Sequence, residues 1–556
     1  MTPVRHAPDA GGITRMHAVL IQLVSIIASV GVGHLVAGLF SPASSPFQAV
    51  ADAVVRLSPE GLTEFGKSLD FPAIGLPRGV ADKVGLLVGI AVVLLVVAAL
   101  AGIAAYHRRS VGRAVIIVLG VVGFAAVCFS PVFAPVDLLA PLSSMMVGLS
   151  AYARLYHLVD SITEPSVRFS VPKVTEGHPE GTSEVPPTAP QLVTPLVTSP
   201  VTRRTVLATS AAVGVGAVGA GAVGQLLGAG ARIDTSARTA LKPRLQPQVA
   251  APPLPAGADF AAQGSPPFLT PNKDFYRIDT ALRVPTISAA DYQLKVHGMV
   301  ARELLLSYDD LLRRPLVEQR VTLTCVSNPV NGDLISNASF VGVSLRELLL
   351  EAGVRPGAEQ IFSTSYDGWT CGTPTSVVLE PDRGAMLALA MNGEPLPLEH
   401  GYPVRMVVPG LYGYVSATKW LADIELTTFD RHAYWIDRGW AQLGPIKTQS
   451  RIDRPRGLEV VPAGRFTAAG IAWAQHRGIS RVEVRLDGGP WQEAQLSTEV
   501  SRDTWRMWRA DLTLAEGNHA IESRATDGNG KVQPQQRADP IPDGATGWPQ
   551  INFWAA

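Results

Sequence analysis

Residues 322–333 read TLTCVSNPVNGD, and residues 391–426 read MNGEPLPLEHGYPVRMVVPGLYGYVSATKWLADIEL. In the first stretch a β-rich run ends at Cys325 and gives way to a loop of Asn, Pro, Gly and Asp. A thiol at the end of a strand, just ahead of such a loop, is placed to face a pocket. Around these stretches, from Pro252 to residue 435, short β-rich runs alternate with helical ones. ADYQLKVHGMV and RVTLTCVSN read as strands, and SLRELLLEAGV reads as a helix with Ser344 as its cap and Gly353 near its end. The expected fold of 252–435 is therefore mixed α+β. From 445 to 556 the pattern changes to evenly spaced strands with Gly, Asp and Asn turns: RGLEVVPAG, FTAAGIAWA, ISRVEVRLDGG, WRMWRADLTL and NHAIESRATDGNG. That spacing predicts an immunoglobulin-like β-sandwich, with Trp491, Trp505 and Trp508 serving core and interface.

The other half of the chain is apolar. Of 556 residues, 47% are hydrophobic and 17% charged, and the apolar excess lies before residue 232. Val84–Ala105 carries no charge and is long enough to cross a bilayer, and Ala114–Phe133, Met16–Phe40 and Val136–Leu155 are further spans. Residues 1–160 are thus expected to form a transmembrane bundle of about four helices. Arg108, Arg109 and Arg113 lie between the second and third spans and put that loop, with the amino terminus, in the cytoplasm. Residues 161–202 are rich in Pro, Thr, Ser and Glu and read as a disordered linker. In residues 203–231, Arg203 and Arg204 precede a weakly apolar Ala/Gly/Val run. This is either a twin-arginine export signal placed mid-chain or a fifth span, and both send the rest of the chain across the membrane. His34, His107 and His157 do not sit at one depth, which argues against a transmembrane haem.

The formal net charge is zero, which gives no broad electrostatic case for nucleic acid. Only Cys128, Cys325 and Cys371 are present, and no CxxC occurs, which argues against iron–sulfur clusters, c-type haem and cysteine-rich zinc sites.

Four segments resemble the sulfite oxidase family of molybdopterin oxidoreductases: PNKDFYRIDTAL (271–282), TLTCVSN (322–328), the long stretch 391–426 and IAWAQHRGISRVEVRLDGGPWQEAQL (471–496). Their order and spacing make the resemblance specific, and it covers residues 252–556. It implies a molybdenum-molybdopterin cofactor with Cys325 as the protein's thiolate ligand, since a soft thiolate suits a metal that transfers oxygen atoms in two-electron steps. The pterin phosphate needs cations and amide donors. His400, Arg405, Ala417, Thr418 and Lys419 match family cofactor-binding positions, as do Asn272, Tyr276 and Arg277 in the early segment. Thr364 resembles a cofactor-contacting threonine of the bacterial methionine-sulfoxide reductase branch. The resemblance also implies that Arg277 serves an anion pocket, and that the last domain makes a homodimer.

Three departures set this chain apart. Asp279 stands where the family has a cofactor-binding histidine. Pro329 and Val330 replace two arginines after the ligand cysteine. The family's active-site tyrosine is missing, and Trp369 or Cys371 lies near its place. A tryptophan beside the metal suits a neutral or thioether-like substrate better than a small dianion. The expected function is oxygen-atom transfer on a small sulfur-containing molecule outside the cytoplasm. Cys325, Arg277 and Trp369 are the expected catalytic residues, and a separate cytochrome or quinone-linked protein exchanges the electrons. Reduction of a sulfoxide, or a non-catalytic scaffold on the same fold, are the alternatives.

Overall fold

The computed structural model describes residues 14–41, 44–57, 78–130, 133–163, 203–230, 235–282 and 284–556. The chain forms two compact units, residues 1–56 with 84–231 and residues 57–83 with 232–556. The first is helical: α1 (Arg15–Phe40), α2 (Pro46–Leu57), α3 (Arg78–His107), α4 (Arg109–Cys128), α5 (Leu139–Thr163) and α6 (Arg203–Gly230). All but α2 contain stretches long and apolar enough to cross a membrane. α1 starts where the Thr14 side chain accepts a hydrogen bond from the His17 backbone N–H. The loop expected between the second and third spans shrinks to one residue. Arg108 takes an extended conformation between α3 and α4, and Arg109 and Arg113 lie inside α4.

Ile21, Ile26, Ile116, Leu155 and Tyr156 form the core of the bundle, with buried polar groups among them. Ser29 Oγ and Ser144 Oγ each donate 2.8 Å hydrogen bonds to the other residue's carbonyl, and Gln22 Nε2 donates to Gly112 O. In lipid such bonds satisfy groups that have no water to turn to. Arg109 and Asp160 form a two-point ion pair of 2.7 and 2.6 Å at one end of the bundle. The outward faces carry Val88, Val92, Val93 and Val96 of α3 and Val118 and Val121 of α4. Most of the expected linker, from residue 164 to 202, lies outside the described residues.

In the second unit, two five-stranded sheets come first. One has the order β2 (Leu304–Ser307), β1 (Gln293–Gly298), β10 (Leu421–Thr427), β5 (Gln360–Ser365), β6 (Thr370–Pro374), with β1 and β10 parallel. The other has β3 (Val317–Thr324), β4 (Ile335–Ser344), β7 (Met386–Met391) and β8 (Glu394–Pro395), with β9 (Arg405–Val407) also on β7. The helix Leu345–Ala352 begins at a Ser344 side-chain cap and ends at left-handed Gly353, as its sequence indicates.

The carboxyl-terminal part is β-rich. One sheet has β11 (Gln449–Arg454), β13 (Gly464–Trp473), β17 (Arg506–Leu514) and β16 (Gln495–Leu496). The second has β12 (Val460–Val461), β19 (Gln550–Ala555), β18 (Gly517–Asp527), β14 (Ile479–Leu486) and β15 (Gln492–Glu493). Phe466, Ala468 and Trp508 from the first sheet and Val482, Ile521 and Phe553 from the second share one core. The RGLEVVPAG run pairs over only two residues, because the chain turns at left-handed Leu458 just before them. Of the three tryptophans, Trp508 is core, Trp505 packs into the core of the preceding domain, and Trp491 sits outside the core beneath Arg485 and Arg524.

Candidate active site

β3 ends at Thr324, so Cys325 is the first residue of the loop that leads into β4. Its N–H donates to Leu334 O and its carbonyl accepts from Asn328 N–H, which folds the loop back on itself. Asn328 is buried, and its Oδ1 accepts from Leu334 N–H. The loop is held from the far side by the last domain. Ile452 N–H donates to Asn331 Oδ1 at 2.8 Å, and Arg451 Nη1 donates to Gly332 O. Gln475 Nε2 donates to Thr322 O and Thr324 Oγ1 at 2.9 and 3.0 Å, pinning the end of β3 that carries the thiol. Cys325 Sγ lies 2.9 Å from Ser327 Oγ. Burial raises the thiol's pKa. The sulfur is therefore protonated until an electrophile claims it.

A cluster of cations is gathered from three segments. Arg405 opens β9 and is buried, and its Nη1 donates to His400 O. His400 Nε2 donates to Asn272 O at 3.1 Å, and the His400 ring meets Phe275 edge-on. Lys419 Nζ donates to Asp279 Oδ2 at 2.7 Å and to Glu399 O. The same Asp279 oxygen accepts from Arg277 Nε at 2.8 Å. Gly401 lets these segments meet: a Cβ there would lie 3.0 Å from both Arg405 Cβ and Lys419 Cα, and its φ of +106° is one that side chains rarely adopt. Tyr276 joins the cluster to the thiol, because its phenol is raised first by burial and then by the neighbouring Cys325, while Arg405 lowers it.

Burial sets the charges. It pulls His400 down to about 3, with Arg405 and Lys419 adding to the effect, so the imidazole is neutral at ordinary pH. Arg405 falls to about 10 and stays charged. Lys419 falls to about 8 despite Asp279, so its charge is easily lost. Among the described residues several buried donors lack a hydrogen-bond partner, and two of them, Arg405 Nε and Asn328 Nδ2, belong to this cluster and to the thiol loop. Stranded donors beside a protonated thiol and three cations match the chemistry of a pterin that brings a phosphate, oxygen-rich ligands and a thiophilic metal. The donor set therefore fits the group: a soft thiol for a metal and cationic side chains for a phosphate.

The structure brings Asn272, Tyr276, Arg277, His400, Arg405, Thr418 and Lys419 together. Ala417 joins them near Tyr276 Oη, both 3.7 Å from where a Cβ on Gly413 would stand. Thr418 is fully buried with its hydroxyl 2.7 Å from Ser363 Oγ, so its first role is to tie the segment to β5. Thr364 is on β5 opposite Thr370 and Asp423. Trp369 closes the β5–β6 turn, where its N–H donates to Asp367 Oδ1. Cys371 is fully buried on β6, and burial raises its thiol to about 11, which suits a structural thiol. Sequence reasoning did not identify Asp367, whose carboxyl is raised by burial and also feels Asp279 and Lys419. It also missed Gln475, a lone glutamine in the last domain with no local signal of contact with β3.

Residues 281–435 match the oxidoreductase molybdopterin binding domain, and residues 443–541 match the Mo-co oxidoreductase dimerisation domain. The sulfite oxidase of Gallus gallus is 31% identical over 319 residues, covering 49% of this chain and 69% of that protein. The chain belongs to the sulfite oxidase family. Its cofactor is accordingly molybdenum-molybdopterin. The family's mitochondrial enzyme from Homo sapiens is 31% identical over 315 residues, covering 48% of this chain and 57% of that protein. The chain thus spans little more than half the length of the mammalian family members. Among solved structures, the sulfane dehydrogenase SoxCD from Paracoccus pantotrophus is 26% identical and covers 48% of this chain and 75% of that chain, with a TM-score of 0.44.

Proposed function

We propose that this chain is a membrane-tethered molybdenum oxidoreductase that transfers oxygen atoms to or from a small, uncharged sulfur compound outside the cytoplasm. The observation that carries the reading is the Cys325 thiol set beside a cation cluster with stranded donors on Arg405 and Asn328. When bound, the cofactor supplies two-electron oxygen-atom transfer. Cys325 would be the residue that holds the metal, as a thiolate. Arg405, Lys419 and neutral His400 would hold the pterin end. The Cys325 loop, clamped by Asn331 and Gln475, fixes the position of the sulfur. An uncharged substrate is favoured because the Arg277 guanidinium is engaged by Asp279, and Pro329 and Val330 add no charge beside the thiol. Trp369, at the β5–β6 turn, is the proposed substrate-side aromatic.

Five apolar helices and the arginines around Arg108 support anchoring with the catalytic part outside. We assign 252–435 to the pterin domain and 445–556 to an immunoglobulin-like domain that pairs two copies. The electrons are proposed to pass to or from a separate carrier, a cytochrome or quinone-linked protein. The test is elemental analysis of the purified chain and of Cys325→Ser, followed by turnover with sulfite and with a dialkyl sulfoxide. Molybdenum in the parent alone, with turnover of the sulfoxide above that of sulfite, is the expected result. Absence of molybdenum from a host that makes the cofactor overturns the reading in favour of a binding scaffold.

A further inference from the structure

α6, the helix that follows Arg203 and Arg204, packs against α1 through close backbone contact. A Cβ on Gly31 would stand 2.2 Å from the carbonyl oxygen of Ala217, and one on Gly38 would stand 2.2 Å from that of Gly224. Seen from the other side, a Cβ on Gly224 would meet His34 O at 2.3 Å. Any side chain at these glycines would collide with rigid backbone. Further toward the helix starts the two helices part, and Leu20, Val24 and Ile27 of α1 and Ser210, Gly214 and Val218 of α6 line an open apolar groove. Ser210 and Ala217 are both buried.

The register gives the direction. From Gly31 to Gly38 and from Ala217 to Gly224 both helices advance by seven residues, so α1 and α6 run parallel. A seven-residue repeat keeps one seam facing its partner over several turns. The rest of the bundle agrees. Ser29 meets Gly148 while Gly33 meets Ser144, so α5 runs opposite to α1. Gly112 meets Tyr152 while Gly120 meets Met145, so α4 runs opposite to α5 and hence with α1.

We infer that residues 203–230 are a permanent fifth span of this bundle, seated in parallel on the glycine face of α1, and not a signal helix that leaves once export is done. The inference rests on reading these helices as membrane spans. Parallel spans enter from the same face. The chain before α1 and the chain after α6 therefore lie on opposite faces, a deduction independent of the arginine count. A twin-arginine helix held in this way directs export of the domain that follows and then anchors it through α1.

The test uses the full chain with a protease site inserted between residues 164 and 202, an amino-terminal tag and a carboxyl-terminal tag. After cleavage and solubilisation in mild detergent, the amino-terminal part is expected to stay with the part that begins before Arg203. Gly38→Leu and Gly224→Leu are expected to abolish that association. Gly219→Leu, on the same helix but with no atom near its Cβ position, is expected to preserve it. In sealed vesicles the two tags should be reached by protease from opposite sides. Tags on one side overturn the parallel packing, whatever the catalytic domain does. Separation of the two parts of the parent chain, or a mature catalytic part lacking residues 203–230, overturns the permanent span. An equal loss with Gly219→Leu overturns the glycine seam as its cause. Molybdenum content is scored separately, so failure of the cofactor reading is not mistaken for failure of this one.

Discussion

Replacing Asp279 by Asn removes a carboxylate that holds two cations on one oxygen, Lys419 at 2.7 Å and Arg277 at 2.8 Å. The side chain of Asp279 is 4% exposed and that of Lys419 11%, so water cannot take over the lost charge, whereas Arg277 at 33% is partly solvated and counts for less. Breaking a buried pair from one side costs about 3–5 kcal/mol, and the lower end applies here because Asn still accepts a hydrogen bond and Arg277 can turn to water. D279N should therefore lose about 3 kcal/mol of stability in the cofactor-free protein. Two uncompensated cations should also recruit an anion. Added inorganic phosphate or sulfate should stabilise D279N far more than the parent, because a ligand that binds only the folded state raises stability with the logarithm of its concentration over Kd. The assay is thermal unfolding of the purified cofactor-free chain in detergent across a phosphate series, with isothermal titration for the Kd. If parent and variant melt together and respond equally to phosphate, Asp279 does not hold these cations in check, and the argument for an uncharged substrate falls with it.

Cys325→Ser should fold with a melting temperature near the parent's, since a serine hydroxyl can keep the contact that Sγ makes with Ser327 Oγ, and should carry no molybdenum by elemental analysis. Phosphate affinity of the cofactor-free protein should fall as pH rises through about 8, where Lys419 loses its proton, with no step from His400 near neutrality because its value lies at about 3; calorimetry across pH checks both. For stability the sign is opposite. Lys419 titrates in the folded state below the usual 10.5, the unfolded chain binds more protons above pH 8, and the cofactor-free protein should gain stability between about 8 and 10.5 in chemical denaturation. Gln475→Leu strips hydrogen bonds from Thr322 O and Thr324 Oγ1 and should cost about 1–3 kcal/mol by denaturant titration, with looser cofactor retention on dialysis than a surface control such as Gln495→Leu shows. Trp508→Ala, in the core shared by the two carboxyl-terminal sheets, should cost about 3–5 kcal/mol by the same measurement.

Much of the architecture was legible locally. Long uncharged runs form helices long and apolar enough to cross a membrane, since backbone groups in lipid must bond within their own helix, and a Ser cap with a Gly stop delimits the helix Leu345–Ala352. Cys325 could be singled out because strand and loop chemistry change at that residue, and the phosphate-type cations because their residue types and spacing match a family. What the sequence could not state was who pairs with whom. Asp279 looked like an altered corner; only the fold brings it onto Lys419, 140 residues away, and sets a carboxylate against the cation cluster. Gln475 and Asn331 look like ordinary polar residues until the last domain packs on β3 and fixes the thiol. The Ala/Gly/Val run of α6 fits a signal or a span equally well by composition, since composition carries no direction. The parallel seam with α1 is a tertiary fact, set by which backbones can approach when no side chain stands between them.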